Sequence, residues 1–335
     1  LSIIAQRPRI TAIQGVRLML GSQPRKVVFD VDPGIDSAVA LALALFDPAL
    51  EVLAVCATPG NVEAEQATRT VQAIVDQLDP PRRPRIGFAL EPERAPAEHL
   101  GYLSGHDGLG NAQFPIAELH QRHASDKVLT DCVRSAEQQV TIVTLGPTTN
   151  LARCLRRDPA FAGQIGQLIV SGGTHAAPGD VTAAAEFNFF FDPQSARDVM
   201  LSRATRSLLP LDVLAKPVFD YGLLDRLPSE DTRVGAFLRQ LLPYYYRTHR
   251  QQLGLEGVRM YDVVAVLALT HPELFTTQRM AVDVETAGEL TAGSAVCDRR
   301  AMGAATPNVD VAVDVNAAGV LDALLTGLER AAAAS

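Results

Sequence analysis

Cysteine is scarce and scattered in this chain: Cys56, Cys132, Cys154 and Cys297 are the only four, far apart and mostly in apolar runs. That spacing excludes a zinc knuckle and a disulfide framework, and it points to free thiols in a reducing compartment. No uninterrupted apolar stretch is long enough to cross a bilayer. No basic block stands out, and 30 Lys+Arg against 38 Asp+Glu leave a formal net charge of -8. Binding to nucleic acid or to an anionic membrane surface is therefore not expected. There is no internal repeat and no low-complexity linker. What the chain does have is apolar material: 47% of its 335 residues are hydrophobic and 20% charged, enough to bury a sizeable core. Residues 1–25 read as an N-terminal extension. Arg7 and Arg9 precede a partly apolar run there, but Gln14 and Arg17 interrupt it, so it does not read as a signal peptide. The expected product is a cytoplasmic globular protein.

Short β-branched runs alternate with longer helical patterns. KVVFDVD (26–32), LEVLAVCA (50–57), VTIVTLG (140–146), QLIVSGG (167–173), RSLLPLD (206–212) and VDVAVDV (309–315) read as strands. Segments 35–45, 63–78, 233–253 and 260–270 read as helices. Apolar runs without alternation belong to strands covered on both faces. The expected fold is α/β, a mostly parallel open sheet with helices on both faces, formed by one domain over residues 26–330. Ligands of such sheets bind beyond the carboxyl ends of the strands, where the strand order reverses. Asp30 and Asp32, Gly60-Asn61, Leu145-Gly146, Ser171-Gly172-Gly173 and Asp212 are expected at that rim.

The acidic strand end carries the most chemistry. In FDVDPGIDS (29–37), Asp30 and Asp32 are two apart on a strand and lean to one face, while Asp36 opens the next helix. Three carboxylates within seven residues repel one another unless a cation sits among them, and a hard divalent ion with oxygen ligands is the natural compensator. The plainer alternative is that Asp36 or Ser37 caps the helix while Asp30 accepts hydrogen bonds from backbone amides.

This stretch resembles the D-x-D-P-G-x-D-D signature of the inosine-uridine preferring nucleoside hydrolase family. Further segments follow in that family's order: GN at 60–61, GHDGLG at 105–110, TLGPTTNLA at 144–152, GGTHAAPGDVTAAAEFN at 172–188, FDP at 191–193 and YDVVAV at 261–266. The resemblance implies hydrolysis of the N-glycosidic bond of ribonucleosides, with calcium holding the attacking water and two ribose hydroxyls. It implies Asp32 as metal ligand and water's base, and Asp262 and the Leu145 carbonyl as further ligands. Asp36, Asn61, Asp180, Glu186, Asn188 and Tyr261 fall on substrate-facing positions, Asp30 on a supporting one. Family members are commonly homodimers or homotetramers. Glu186 and Asn188 are expected on a strand or extended loop, facing the site together while Phe187 packs away.

Three departures matter. Ser37 replaces the second carboxylate of the D-D pair, so metal binding is expected to be weak or lost. Asp180 stands where the family usually has Asn. Tyr261 and Ser104 stand where it often has His. His175 is a candidate to enter the site, and Tyr244, Tyr245 and Tyr246 lie on a helix from which one or two can face the base. The lack of tryptophan excludes Trp-stacked base recognition. Two readings stay open: an active hydrolase, or a ribose-binding relative with little or no catalysis. A D-x-D start also opens haloacid-dehalogenase-like phosphotransferases, with Asp30 as nucleophile and Asp32 as acid. Gly34, however, stands where that family usually has Thr or Val.

Overall fold

The computed structural model describes residues 11–12, 23–92, 103–116, 122–300 and 305–335; residues 1–10 and 13–22 of the expected extension lie outside them. Among the described residues eleven strands form one sheet: β1 (Thr11–Ala12), β2 (Arg25–Val31), β3 (Leu50–Ala57), β4 (Arg85–Phe88), β5 (His123–Ala124), β6 (Val140–Leu145), β7 (Gln167–Ser171), β8 (Arg206–Leu209), β9 (Phe275–Val284), β10 (Ala295–Asp298) and β11 (Val309–Val315). Their order is β1-β9-β11-β8-β7-β6-β2-β3-β4-β5, with β10 beside β9. From β5 across to β11 every pairing is parallel. The mostly parallel α/β sheet expected from the apolar runs is what forms. The edge differs: β9 pairs antiparallel with β1, β10 and β11, and of these four strands only β11, as VDVAVDV, carried a strand signal.

β2 shows why the sheet is buried on both sides. Val27, Phe29 and Val31 pack into one core with the helices Ile35–Leu45, Arg233–Leu253, Tyr261–Thr270 and Ala317–Ala333. Val28 points to the opposite core, built with the helices Ser125–Ser135, Thr149–Arg157 and Pro193–Met200. Alternate residues of one strand thus serve two apolar layers. From β2 the chain moves outward to β3, β4 and β5, then returns to place β6 on the other side of β2. The β2/β6 boundary is therefore the switch point, and a crevice opens beyond its carboxyl end.

Candidate active site

A cleft opens at that boundary, lined by Asp32, Asp36, Leu145, Glu186, Tyr245 and Asp262 among others, the place where such sheets bind ligands. Asp32 directly follows β2 and is 3% exposed. Its Oδ1 accepts the Asn61 backbone N–H at 2.6 Å, which fixes the carboxylate across the β3 turn. Two glycines make room for it: a Cβ on Gly60 would collide with Asp32 Oδ2, and one on Gly146 with Asp32 Cβ. The GN and LGP segments thus owe their glycines to one aspartate.

Asp36 and Asp262 are each the second residue of a helix, at Ile35–Leu45 and Tyr261–Thr270, so both acids face positive helix ends. The Asp262 backbone N–H donates weakly to Asp36 Oδ2 at 3.4 Å. Ser37 lies between the two outer acids: its hydroxyl donates to Asp262 Oδ2 at 2.5 Å and is 3.3 Å from the Asp32 carbonyl. Ser37 also accepts the Gly34 N–H at 3.0 Å, so it caps its helix as well. Burial raises the pKa of Asp32 and Asp262 well above the usual carboxylate range, and the neighbouring Asp36 charge adds to both. Asp36 is pushed up to about 6, again by burial. Among the described residues, none of these acids forms a salt bridge with a Lys or Arg side chain.

The donor chemistry suits a hard divalent ion, although thinly. Among the described residues no three His, Cys, Asp or Glu side chains are grouped to hold a metal. Two carboxylates, the Ser37 hydroxyl and the end of β6 at Leu145 are what the cleft offers. Hard oxygen donors with raised carboxyl pKa values are what such a cation satisfies.

Glu186 is not on a strand. It caps the short helix Phe187–Phe191, accepting N–H groups from Asn188 (2.9 Å), Phe189 (3.3 Å) and, across the turn, Gly173 (2.7 Å). The expected alternation, with Phe187 turned away, is therefore corrected, and Phe187 lines the cleft beside Glu186 and Asn188. The Asn188 amide donates to the Ser171 carbonyl at the end of β7 (3.1 Å). Asp180 accepts the Phe187 N–H at 2.9 Å, and burial, helped by the Asp180 charge, pushes Glu186 up to about 8.

The opposite wall is aromatic and carries the cleft's one Lys or Arg among the described residues. Tyr245, His249, Arg259 and Tyr261 line it. His249 Nδ1 is 3.0 Å from the Tyr245 carbonyl, and its ring meets the Tyr245 ring edge-on with centroids 4.2 Å apart. Neither His249 nor Arg259 was a sequence candidate. The signal for His249 existed, since it follows Tyr245 by four residues on one helix and so shares its face. Ser104 also lines the cleft, and its hydroxyl accepts the Ile35 N–H at 3.2 Å.

Other candidates are placed elsewhere. Asp30 is buried beside the cleft, accepting from Thr58 (2.6 Å) and Asn150 (2.9 Å), and burial raises it to about 6. Asp212 does not line the cleft; RSLLPLD leaves strand geometry after Leu209, and Asp212 instead holds the loop N–H groups of His175, Ala176 and Ala177, each at 2.7 Å. His175 stays beside Asp212, 3.9 Å away, rather than in the cleft. Tyr246 points into the core and donates to the Asp220 carbonyl, while Arg247 covers the Tyr244 ring, so one of the three tyrosines faces the site. Asp192 of FDP caps the Pro193–Met200 helix.

The profile of the family described as inosine-uridine preferring nucleoside hydrolase matches residues 27–322, and the chain belongs to that family. It is 32% identical over 305 residues to the pyrimidine-specific ribonucleoside hydrolase RihA of Salmonella typhi, covering 90% of this chain and 98% of that one. Among solved structures it is similar to a purine-preferring ribonucleoside hydrolase from Gardnerella vaginalis (TM-score 0.85, 26% identity, 92% of this chain and 99% of that one). It is also similar to a plant nucleoside hydrolase (TM-score 0.82, 29% identity, 91% and 99%). Among the described residues no helix is long and apolar enough to cross a membrane.

Proposed function

We propose that this protein hydrolyses the N-glycosidic bond of ribonucleosides to ribose and free base, with Asp32 accepting the proton of the attacking water. The observation that carries this reading is Asp32 itself: buried, held by the Asn61 N–H and fitted between two glycines at the sheet's switch point. Base departure leaves an oxocarbenium-like ribosyl centre, which a wall of carboxylates stabilises more than it does the neutral substrate. Asp36, Asn61, Asp180, Glu186 and Asn188 are assigned to the ribose hydroxyls, and Tyr261 to the base side. Glu186 suits such a task because its carboxylate is fixed by three backbone amides before any ligand arrives. Asp32, Asp262, Ser37 and Leu145 would hold calcium, which when bound acidifies a water and orients ribose oxygens. The four free cysteines favour a reducing, cytoplasmic setting.

Ser37 supports a second reading, a ribose-binding relative with little catalysis. Its hydroxyl occupies Asp262 Oδ2, where the family resemblance implies a third carboxylate. One experiment separates the two: reducing-sugar release from a panel of purine and pyrimidine ribonucleosides, with and without added calcium. Turnover of any member supports the hydrolase. Calcium-dependent binding without sugar release supports the binding protein.

A further inference from the structure

N-glycosidic cleavage leaves the bond's electron pair on the base, so the departing base needs a proton or a fixed positive charge. Five carboxylates line the cleft, Asp32, Asp36, Asp180, Glu186 and Asp262, and none carries a fixed positive charge; Glu186, raised to about 8 chiefly by burial, is engaged by three backbone amides and assigned to the ribose. The position before Asp262 is Tyr261, a neutral phenol that brings no positive charge to the cleft. His249 is the one histidine among the described lining residues. Its Nδ1 faces the Tyr245 carbonyl at 3.0 Å, and burial, helped by the Arg259 charge, lowers its pKa. With Nδ1 carrying the proton, Nε2 is left as an acceptor, the wrong role for a proton donor.

Arg259 is different. Its guanidinium sits beside the Tyr261 hydroxyl, and its buried Nε has no hydrogen-bond partner. Its backbone is pinned on both sides: Val258 exchanges two hydrogen bonds with Phe219 (2.9 and 3.0 Å), and the Arg259 carbonyl accepts the Tyr245 hydroxyl at 3.1 Å. A guanidinium near five carboxylates would ordinarily pair with one. Here, among the described residues, Arg259 joins no ion pair and stays on the aromatic wall. Its backbone is held in place, its guanidinium meets the Tyr261 hydroxyl, and its charge is not neutralised by a carboxylate partner among the described residues.

We propose that Arg259 is the leaving-group residue, stabilising the departing base as an anion through its fixed charge in place of a proton-donating histidine. This inference rests on the ribonucleoside hydrolase reading. In the step, the C1′–N bond breaks with both electrons going to the base, and the water oxygen bonds C1′. Asp32 takes the water proton, and the released base anion takes a proton from solvent. His249 Nε2, as an acceptor, orients a base N–H toward Arg259.

The test compares leaving groups. Uridine and inosine have poor ones that need this charge, whereas p-nitrophenyl β-D-ribofuranoside releases a stable phenolate that does not. In the full-length protein with added calcium, Arg259→Gln is expected to lower kcat on the nucleosides by about 10²–10³, the range for losing one preorganised charge-stabilising donor. On the nitrophenyl riboside the same variant is expected to keep activity within about fivefold, which also reports an intact fold and ribose site. Arg259→Lys should recover part of the nucleoside activity. Equal losses on both substrate types would overturn the proposal, as would nucleoside kcat unchanged in Arg259→Gln. A leaving-group-dependent loss in His249→Gln with none in Arg259→Gln would transfer the role to His249 and overturn it too. A wild-type protein inactive on every nucleoside would instead defeat the hydrolase reading, and the proposal with it.

Discussion

The acids of the cleft and the acids of the far sheet edge meet opposite fates. At the edge, Asp283 receives both nitrogens of the Arg197 fork (2.8 and 3.1 Å) and Asp298 those of Arg300, and their carboxyl pKa values fall, Asp298 to about 2. In the cleft, Asp32, Asp262 and Glu186 are buried without a basic partner, and their values rise. The same residue types are therefore stabilised as anions in one region and penalised as anions in the other. A folded chain tolerates that penalty where ligand chemistry compensates it, so the unpaired acids mark the site better than the count of acids does.

The largest test breaks the cleft side at its centre. Asp32→Asn keeps the volume and the contact with the Asn61 N–H but removes the proposed base and one metal charge. Turnover should fall by about 10²–10⁴, the usual contribution of a general base, while far-UV circular dichroism and gel-filtration volume stay unchanged. Full activity in a folded Asp32→Asn protein would remove Asp32 from the chemistry.

Ser37 sharpens the contrast from the metal side. A hydroxyl is neutral and offers one oxygen, whereas a carboxylate brings charge and up to two. Two charges 4 Å apart at an effective dielectric of 20 interact by about 4 kcal/mol before desolvation is subtracted. Ser37→Asp should therefore tighten calcium by roughly tenfold to a thousandfold in calorimetric titration. Without calcium the same variant should be less stable than the parent, because it adds a further unpaired carboxylate beside Asp262. Equal calcium affinities in the two forms would place the cation elsewhere.

The pH dependence of stability should also run opposite ways. Glu186 titrates at about 8 when folded, against an ordinary 4.5, so between those values the native state binds more protons than the unfolded one. Stability from this group is full below pH 4.5 and is lost as the pH rises through 8; Asp36, at about 6, adds to the lower part of that window. The chelated protein should melt at a lower temperature at pH 8 than at pH 5.5. Calcium at a hundredfold excess over its Kd should stabilise the protein by about 2.7 kcal/mol, and at a fixed calcium concentration it should restore more at pH 8, where the acids are ionised. Glu186→Gln should flatten the chelated profile, and a profile already flat in the parent would contradict the burial assigned to these acids. Asp298 has the reverse sign: its stabilisation is present above pH 3.8 and is lost as the pH falls toward 2.

The acidic side of this contrast is legible in the sequence, and the basic side is not. Asp32, Asp36 and Ser37 sit within one short run after an apolar strand, and GN and LGP mark the turns that surround them, so local pattern and sheet topology suffice. Glu186 misled because EFN alternates as a strand would; its carboxylate instead caps a helix, and capping overrides a three-residue period. His249 was hidden among ordinary helical residues, where only its four-residue offset from Tyr245 sets it apart. Arg259 had no local signal, because its importance comes from what surrounds it in space. β9 escaped for a related reason: it alternates buried and partly buried residues and lacks the continuous apolar run that betrayed the parallel strands.

The smallest expected effect lies on the paired side. Arg197 and Asp283 form a bidentate pair, but their side chains are 42% and 46% exposed, so solvent and salt screen the attraction. Their shifted pKa values record a good geometry and not a large contribution to folding. Arg197→Gln should leave the melting temperature unchanged within error at physiological salt, and should leave nucleoside turnover unchanged as well. The lowered Asp283 pKa should return toward 3.8 in that variant, which NMR titration of the carboxyl carbon would read directly. A clear fall in melting temperature would mean that edge acids also carry structural weight, and the separation between paired edge and unpaired cleft would then have to be drawn from activity alone.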